Sequence, residues 1–236
     1  MRHTIWGLAV LLLLPVGIAQ AEPTPYIGVT GAVTRTEITN GGANTSPPGF
    51  TNRGNGYNVS GGFSFHVGMD HLYQFTPEMS LRGELELRKN TNDKFSSPSF
   101  PGFPPPLGAE KYNIAHESYG GLVNLYLDYR LPENPLSLYA GGGAGIYKHD
   151  VSVYDSTIRG NKDNAEFAYQ LGVGGMYHYN DDVRFTIGAR YLDSGNSNIA
   201  LFDPAPSGNL SLDYESIEVL AGVHVSFDKV AGLFSR

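Results

Sequence analysis

The sequence predicts an all-β fold, an eight-stranded antiparallel up-and-down transmembrane β-barrel. The first observation is the segment Leu81–Arg88, where apolar or small residues alternate with charged ones. A strand turns successive side chains to opposite faces, so this segment would have one apolar and one charged face. The second observation is that eight segments alternate in this way, and the third is that their connections are long and short in turn. That succession of connections is typical of outer-membrane barrels.

The first four strands each alternate between an apolar and a more polar set of residues. Isoleucine and valine oppose glycine and threonine in the first, and phenylalanine and valine oppose serine and histidine in the second. Leucine and glycine oppose arginine and glutamate in the third, whereas leucine and valine oppose asparagine and aspartate in the fourth. The four predicted strands are Tyr26–Thr36, Val59–Val67, Leu81–Arg88 and Val123–Arg130.

The last four strands continue the pattern. Leucine and alanine oppose tyrosine and glycine in the fifth, and bulky apolar residues oppose glutamine, glycine and histidine in the sixth. Phenylalanine and isoleucine oppose arginine and threonine in the seventh, while isoleucine and valine oppose serine, glutamate and histidine in the eighth. A tilted strand crosses a bilayer with about 9–11 residues, so these segments can span one. The four predicted strands are Leu136–Tyr147, Phe167–His178, Arg184–Tyr191 and Ser216–Phe227.

The connections divide into two classes. Short turns are predicted at Phe75–Glu78, Leu131–Asn134 and Asn180–Asp182. The other four connections are polar and rich in asparagine, glycine and serine, and the second of them holds five prolines that cannot donate to a β-ladder. We expect these long loops to lie outside the cell and the short turns to lie in the periplasm. The predicted loops are Thr39–Gly56, Asn90–Tyr112, Asp150–Asp163 and Ser194–Asp213.

The amino terminus predicts export. Residues 1–21 begin with a basic Met1–His3, continue with the apolar run Leu8–Leu14 and end in the cleavage-type sequence Ala19–Ala21. A signal peptide is therefore expected at 1–21 and a barrel domain at 22–236, the alternative being a retained membrane anchor. The chain has no cysteine, which excludes a lipid-modified amino terminus, and its net charge of −7 argues against a nucleic-acid partner.

The charged face of the strands predicts an interior network. Five arginines and four carboxylates occupy the alternate strand positions that are expected to face inward. A nearly balanced set of charges can pair inside a narrow lumen. As a plug the network would close the barrel, and as a lining it would select ions. Eight strands leave room for little more than side chains, which favours the plug. The predicted members are Arg82, Glu84, Glu86, Arg88, Asp128, Arg130, Arg184, Arg190 and Glu218.

Aromatic residues concentrate near the ends of the predicted strands. A ring with a polar tip favours the level of the lipid headgroups, so we expect these residues to form belts at the membrane surfaces. They are Tyr26, Tyr57, Tyr119, Tyr129, Tyr147, Phe167, Tyr177, Tyr191, Tyr214 and Phe227.

Two stretches carry a resemblance to a known family. The glycine-rich fifth strand Leu138–Gly145 and the last strand Ile217–Phe227 resemble those of opacity-type outer-membrane surface proteins, which share their architecture with the OmpA transmembrane barrel. The resemblance implies an outer-membrane location, a surrounding of outer-membrane lipid, and recognition of the last strand by the barrel-assembly machinery. Asp228–Arg236 departs from the pattern, because the family usually ends at the terminal aromatic.

Two groups of residues are candidate sites. His116-Glu117-Ser118 is similar to the His-x-Ser motif of outer-membrane lipid A deacylases, although here both side chains share the inward parity and Tyr119 replaces the usual asparagine. His66, His178 and His224 also face inward, and we interpret them as satisfied lumen histidines rather than metal ligands. No catalytic residue, metal or cofactor is therefore predicted.

Three main functions are compatible with the sequence, and an enzyme is a less favoured fourth. The first is a non-enzymatic outer-membrane protein that anchors four long loops for contact or adhesion with a host or environmental ligand. The second is a small passive pore, and a deacylase-like enzyme is less favoured. The third is a secreted soluble barrel with an apolar ligand inside, since alternation alone does not say which face is inward.

Overall fold

The computed structural model describes residues 22–45, 51–97, 112–154, 159–203 and 205–227. Eight antiparallel strands follow one another around a closed barrel, each paired with its neighbours along the chain, and the first strand pairs with the last. The predicted fold class is confirmed. The strands are β1 Thr24–Thr45, β2 Thr51–Gln74, β3 Met79–Ser97, β4 Tyr112–Arg130, β5 Leu136–Tyr154, β6 Arg159–His178, β7 Val183–Asp203 and β8 Ala205–Ser226.

The two ends of the barrel differ. The three predicted short turns all lie at one end, together with the beginning of β1 and the end of β8, and we call this the turn end. Backbone hydrogen bonds close each turn, for example from Met79 to Thr76 (3.2 Å) and from Leu131 to Leu136 (3.0 Å). Within the part of the chain that the structure describes, there is no helix of the length and apolarity needed to cross a membrane.

The predicted faces are confirmed in the half of the barrel nearest the turn end. Leu85 points outward with 59% of its surface exposed, whereas its neighbour Glu86 points inward and is 1% exposed. The outer wall is an apolar band, and valine, leucine, isoleucine and phenylalanine side chains there are about half exposed. A soluble carrier would have the opposite arrangement, with leucine inside and glutamate in water, so that interpretation is wrong.

The strands are about twice as long as predicted; they occupy most of three predicted loops and only the ends of the fourth, Asn90–Tyr112. They contain 19 to 24 residues, well beyond the length that crosses a bilayer. In Asp150–Asp163 only 155–158 lie outside the described residues, and β7 and β8 together occupy nearly all of Ser194–Asp213. Residues 1–21, the five prolines and Asp228–Arg236 also lie outside the described residues.

The added length forms a second layer of the barrel. We call it the extension, and it comprises the strands beyond the continuous apolar band of the outer wall, whose last residue on each strand is a boundary residue. On β4 to β8 those boundary residues are Tyr119, Ile146, Phe167, Tyr191 and Ile217.

Side-chain polarity reverses where the extension begins. Its outer wall is polar, as shown by the exposed residues Glu117, Asp150 and Asn198. Its interior is a hydrophobic core whose members are at most 6% exposed, as in a water-soluble barrel. The core residues are Ile114, Val151, Val153, Ile199, Leu210, Leu212 and Tyr214.

A β-bulge explains why the sequence predicts a shorter β7 than the structure contains. The pairing of β7 with β8 shifts between Asp193 and Asn196, so that the inward set changes from even to odd positions. Gly195 has φ +87° there, and its amide donates to Asp193 Oδ1 (3.0 Å). A bulge of this kind inserts one residue and interrupts the alternation that predicts a strand.

The aromatic belts are only partly as predicted. Tyr57, Tyr119, Tyr129, Phe167, Tyr177 and Phe227 are exposed on the outer wall, and Tyr191 is partly exposed. Tyr26, Tyr147 and Tyr214 instead point inward and are at most 1% exposed. Their parity is that of the polar face of their strands, so nearness to a strand end was the wrong criterion for these three residues.

Candidate functional site

The interior between the turn end and the extension contains a network of ion pairs, which we call the charge network. Its lower part surrounds Arg82 on β3. The guanidinium donates to Asp128 Oδ2 (2.9 Å), to Glu84 Oε2 (3.0 Å) and to the Tyr26 hydroxyl (3.1 Å). The same guanidinium lies over the ring of Tyr126, 4.3 Å from its centroid. Arg82 therefore has partners on its own strand, on the adjacent β4, and on β1, which lies two strands away.

The upper part of the charge network joins two carboxylates and two arginines. Arg190 on β7 donates to both oxygens of Glu86 (2.9 Å each) and to Glu218 on β8. Arg88 donates to the other oxygen of Glu218 (2.5 Å). All four side chains are buried, and the pairs cross the lumen as well as linking neighbouring strands. Buried charges of this kind are tolerated only when they are paired and hydrogen-bonded.

Neutral amides connect the two parts. Asn124 on β4 donates to Glu86 Oε2 (3.1 Å) in the upper part and to Glu84 Oε1 (3.4 Å) in the lower part, and Gln170 on β6 donates to Asn124 Oδ1 (2.7 Å). Arg190 in turn donates to Gln170 Oε1 (2.6 Å). Sequence reasoning placed both amides on the inward face but left them out of the network, because only charges were counted. Inward parity was the signal that would have included them.

The structure brings most of the predicted residues together. Arg82, Glu84, Glu86, Arg88, Asp128, Arg190 and Glu218 all lie in the charge network. Arg184 lies nearer the turn end and pairs with Asp70. Asp70 was missed because β2 continues past its predicted end through a register shift that includes His71 at φ 54°.

Arg130 is the exception. It is the last residue of β4, its side chain is exposed, and no carboxylate in the described ranges lies within ion-pair distance of it. The wall of the barrel ends at this position, so inward parity no longer places a side chain in a closed lumen. The structure therefore places Arg130 at the turn end, outside the charge network.

Histidines lie at two levels of the interior. Near the middle, His66, Glu84 and Glu86 each place one potential metal-ligand atom within 4.8 Å of the others. Glu84 and Glu86 already accept hydrogen bonds from Arg82 and Arg190, and His66 Nδ1 lies 2.8 Å from Glu84 Oε1. Two guanidinium groups at the carboxylates disfavour a metal cation there, so this cluster is part of the ion-pair network.

The second histidine level lies in the extension. His116 Nε2 is 2.8 Å from His149 Nδ1, and His149 Nε2 is 2.7 Å from the carbonyl oxygen of Ser194. The carbonyl can only accept, so neutral His149 carries its proton on Nε2 and accepts from His116 at Nδ1. Tyr214 stacks on both rings, with centroids 4.3 and 4.8 Å away. Burial, followed by the proximity of His116, lowers the pKa of His149 to about 4.

The deacylase-like residues lie inside the barrel. His116 and Ser118 are at most 3% exposed, and the Ser118 hydroxyl accepts a hydrogen bond from the amide of Asn90 (3.1 Å). His116 is bonded to His149. In the similar deacylase motif the two residues face the lipid, so the arrangement here differs from that motif.

The lower half of the barrel contains a vestibule and a small cavity. A vestibule of about 300 Å³ opens at the turn end and is lined by polar residues that include Asp70, Arg130 and His178. A cavity of about 30 Å³ lies above it beside His66 and Arg190, enough for one or two water molecules. Between the charge network and the extension core, the interior is filled by Leu122, Tyr147, Ala168 and Leu192.

The chain resembles solved barrels in fold. OprG from Pseudomonas aeruginosa superposes with a TM-score of 0.51 at 15% identity, covering 86% of this chain and 96% of that one. The outer membrane protease OmpT from Escherichia coli gives 0.50 at 11% identity, covering 90% and 99%. Neisserial surface protein A gives 0.43 at 15% identity, covering 87% and 99%. Likeness at these identities shows the fold alone.

The comparison by family is more specific. None of the curated proteins compared with the chain matches it. Residues 6–227 match the profile of the outer membrane protein beta-barrel domain, so the predicted resemblance to outer-membrane barrels and the predicted location are confirmed. Because this match spans nearly the whole chain, the protein belongs to the outer membrane β-barrel domain family of Gram-negative bacteria.

Proposed function

We propose that the protein is a closed, non-enzymatic anchor that holds the extension and its connections outside the cell as a contact surface. The observation that carries this proposal is the reversal of polarity at the start of the extension. A barrel needed only as a membrane span would end near the apolar band. Here the strands continue with a polar outer wall over their own hydrophobic core, which supports a rigid structure in water.

The filled interior supports a closed barrel. From the turn end upward, a solute would meet the charge network, then the apolar filling around Tyr147, and then the extension core. Opening a path would require breaking the bonds of Arg190 to Glu86 and Glu218, which leaves buried charges without partners.

A passive pore is the second candidate, and the vestibule is the observation that favours it. Single-channel recording in planar bilayers separates the two functions. We expect current at the level of the protein-free bilayer for the native barrel. Steady openings that disappear when the vestibule residue Arg130 is replaced by glutamate, or that change their ion preference, would support the pore and contradict the closed anchor.

The proposed topology places the extension outside and the turns in the periplasm, after removal of residues 1–21. An epitope tag inserted between β3 and β4, within 98–111, should bind antibody on intact cells. The matched tag in the turn between β4 and β5, within 131–135, should bind only after the outer membrane is permeabilised. The reverse pattern would show that the barrel is inserted the other way round.

The contact role itself needs a binding assay on cells. A variant that replaces 39–56 and 194–213 by short turns removes most of the extension from β1, β2, β7 and β8. We expect cells with this variant to lose adherence to host cells or extracellular matrix while the barrel remains folded in the membrane. Adherence equal to that of the full-length protein would contradict the contact role.

A further inference from the structure

The outer wall carries a lysine–tyrosine–lysine row at the upper edge of the apolar band. Lys89 on β3 lies directly opposite Tyr119 on β4, and Tyr119 lies directly opposite Lys148 on β5. All three side chains point outward. The two lysines are two strands apart, or about 10 Å, and their side chains are long enough to meet above the tyrosine ring.

Below this row the wall has an apolar notch. Gly121 takes the place of a side chain between Leu87 and Ile146, which are 66% and 62% exposed. A Cβ atom at Gly121 would meet nothing closer than Leu87 Cδ2 at 3.7 Å, an ordinary contact. Packing therefore does not require glycine at this position, and its effect is to leave a groove between two apolar side chains at the level of the acyl chains.

The charges in and around this row favour binding of an anion on the side of the row that faces the apolar band. The Lys148 ammonium bonds to Asp163 Oδ2 (2.7 Å) and to Tyr119, and these two partners raise its pKa to about 12. One of its three N–H donors is left for another acceptor. For Lys89, no carboxylate in the described part of the chain lies within ion-pair distance. The next row toward the extension is acidic, with Glu117 opposite Asp150, so an anion would be held below it.

We propose that Lys89, Tyr119, Lys148 and Gly121 form a binding site for a phosphorylated lipid of the leaflet next to the extension. The phosphate lies between the two ammonium groups, against the outer face of the Tyr119 ring, and one acyl chain lies in the notch at Gly121. A cationic pair positioned over an apolar groove recognises both parts of such a lipid, whereas a free anion would use only the lysines.

The test uses the full barrel in detergent, titrated with lipid A and followed by native mass spectrometry. The matched probe is lipid A from which the phosphates have been removed. We expect Lys89→Ala with Lys148→Ala to weaken binding of lipid A by about tenfold or more, since each ammonium–phosphate bond contributes at least that much. Lys162→Ala, which removes an exposed lysine of the extension, should change nothing.

Two further variants test the groove and the charge separately. Gly121→Leu should weaken lipid A binding while both lysines remain, and Gly175→Leu, which fills an outward glycine near the turn end, should not. Asp163→Asn should strengthen binding, because it removes a negative charge beside Lys148. Folding of each variant is checked by its mobility on unheated gels.

Three results would overturn the proposal. They are equal binding of dephosphorylated lipid A, undiminished binding by the folded Gly121→Leu variant, and complete competition by inorganic phosphate at concentrations comparable to the lipid. Should the double lysine variant fail to fold, the Gly121 and Asp163 variants decide the question alone.

Discussion

At the scale of single residues, the charge network is the feature that defines the interior. Glu218 accepts hydrogen bonds from Arg88 and Arg190 and also from the hydroxyl of Thr34 (3.0 Å). One carboxylate thus bonds to two guanidinium groups from different strands. Its neighbours on β8 point into the membrane, and period-two alternation alone predicted that Glu218 would face inward. The particular partners could not be predicted, because they depend on the register across the lumen.

Glu218→Gln should destabilise the barrel strongly. The amide keeps the shape of the side chain but removes the charge, which leaves Arg88 without the carboxylate that it bonds to and Arg190 with Glu86 alone. Removing one partner of a buried ion pair costs about 3–5 kcal/mol. Unfolding by urea in detergent micelles measures the change, with Glu117→Gln as the exposed control, for which less than about 1 kcal/mol is expected. Equal effects of the two substitutions would show that the network does not hold the barrel together.

At the scale of elements, the strands near the turn end could be predicted and the extension could not. Leu81–Arg88 keeps one alternation throughout, so both its type and its faces were correct. In β7, the bulge at Gly195 shifts the inward set by one position, and beyond it the apolar side chains face inward instead of outward. The bulge and the reversal of polarity lie within a few residues of each other, so no single alternation runs through the segment. Its sequence therefore resembles that of a polar loop.

The extension should lose stability in acid through His149. Its pKa of about 4 in the folded protein is below the ordinary value of 6.5, so the unfolded chain takes up the proton first. The stability that depends on neutral His149 is fully present above pH 6.5, falls as the pH drops toward 4, and does not change further below that pH. By linkage the loss is about 3 kcal/mol. Amide hydrogen exchange of β5 and β7 beyond the apolar band measures it at each pH.

The control for this prediction is His149→Phe. It keeps a ring stacked on Tyr214 and removes the titrating group. Exchange in this variant should depend less steeply on pH between 4 and 6.5 than in the native protein. An unchanged pH dependence would assign the effect to other groups.

At the scale of the whole molecule, the closed ring and the two-layer organisation determine what each wall faces. The strands cross from lipid to water without interruption, since both layers belong to the same eight elements. The ring could be predicted from the number of strands and the short turns. The height of the barrel could not, because nothing in the composition of the polar segments distinguishes a paired strand from a loop.

Fluorophores attached at Leu85→Cys and Glu86→Cys test the placement of the membrane. The chain has no native cysteine, so each label is unique. In brominated lipid we expect strong quenching at position 85 and weak quenching at 86, because the first side chain is outside and the second is inside. A label at Ser152→Cys, on the outer wall of the extension, should be quenched least among the outward positions. Strong quenching at 152 would show that the extension lies in lipid.

The long pairing of β1 with β8, which has one register shift between Thr39 and Gly42, has a mechanical consequence. It runs from Tyr26–Ser226 at the turn end to Thr45–Gly208 in the extension, and a pull on the outer part acts along the strands. The load is then shared as shear by the hydrogen bonds of a ladder that continues on both sides of the register shift. A cell held by this protein against flow would therefore transfer the force directly to its membrane.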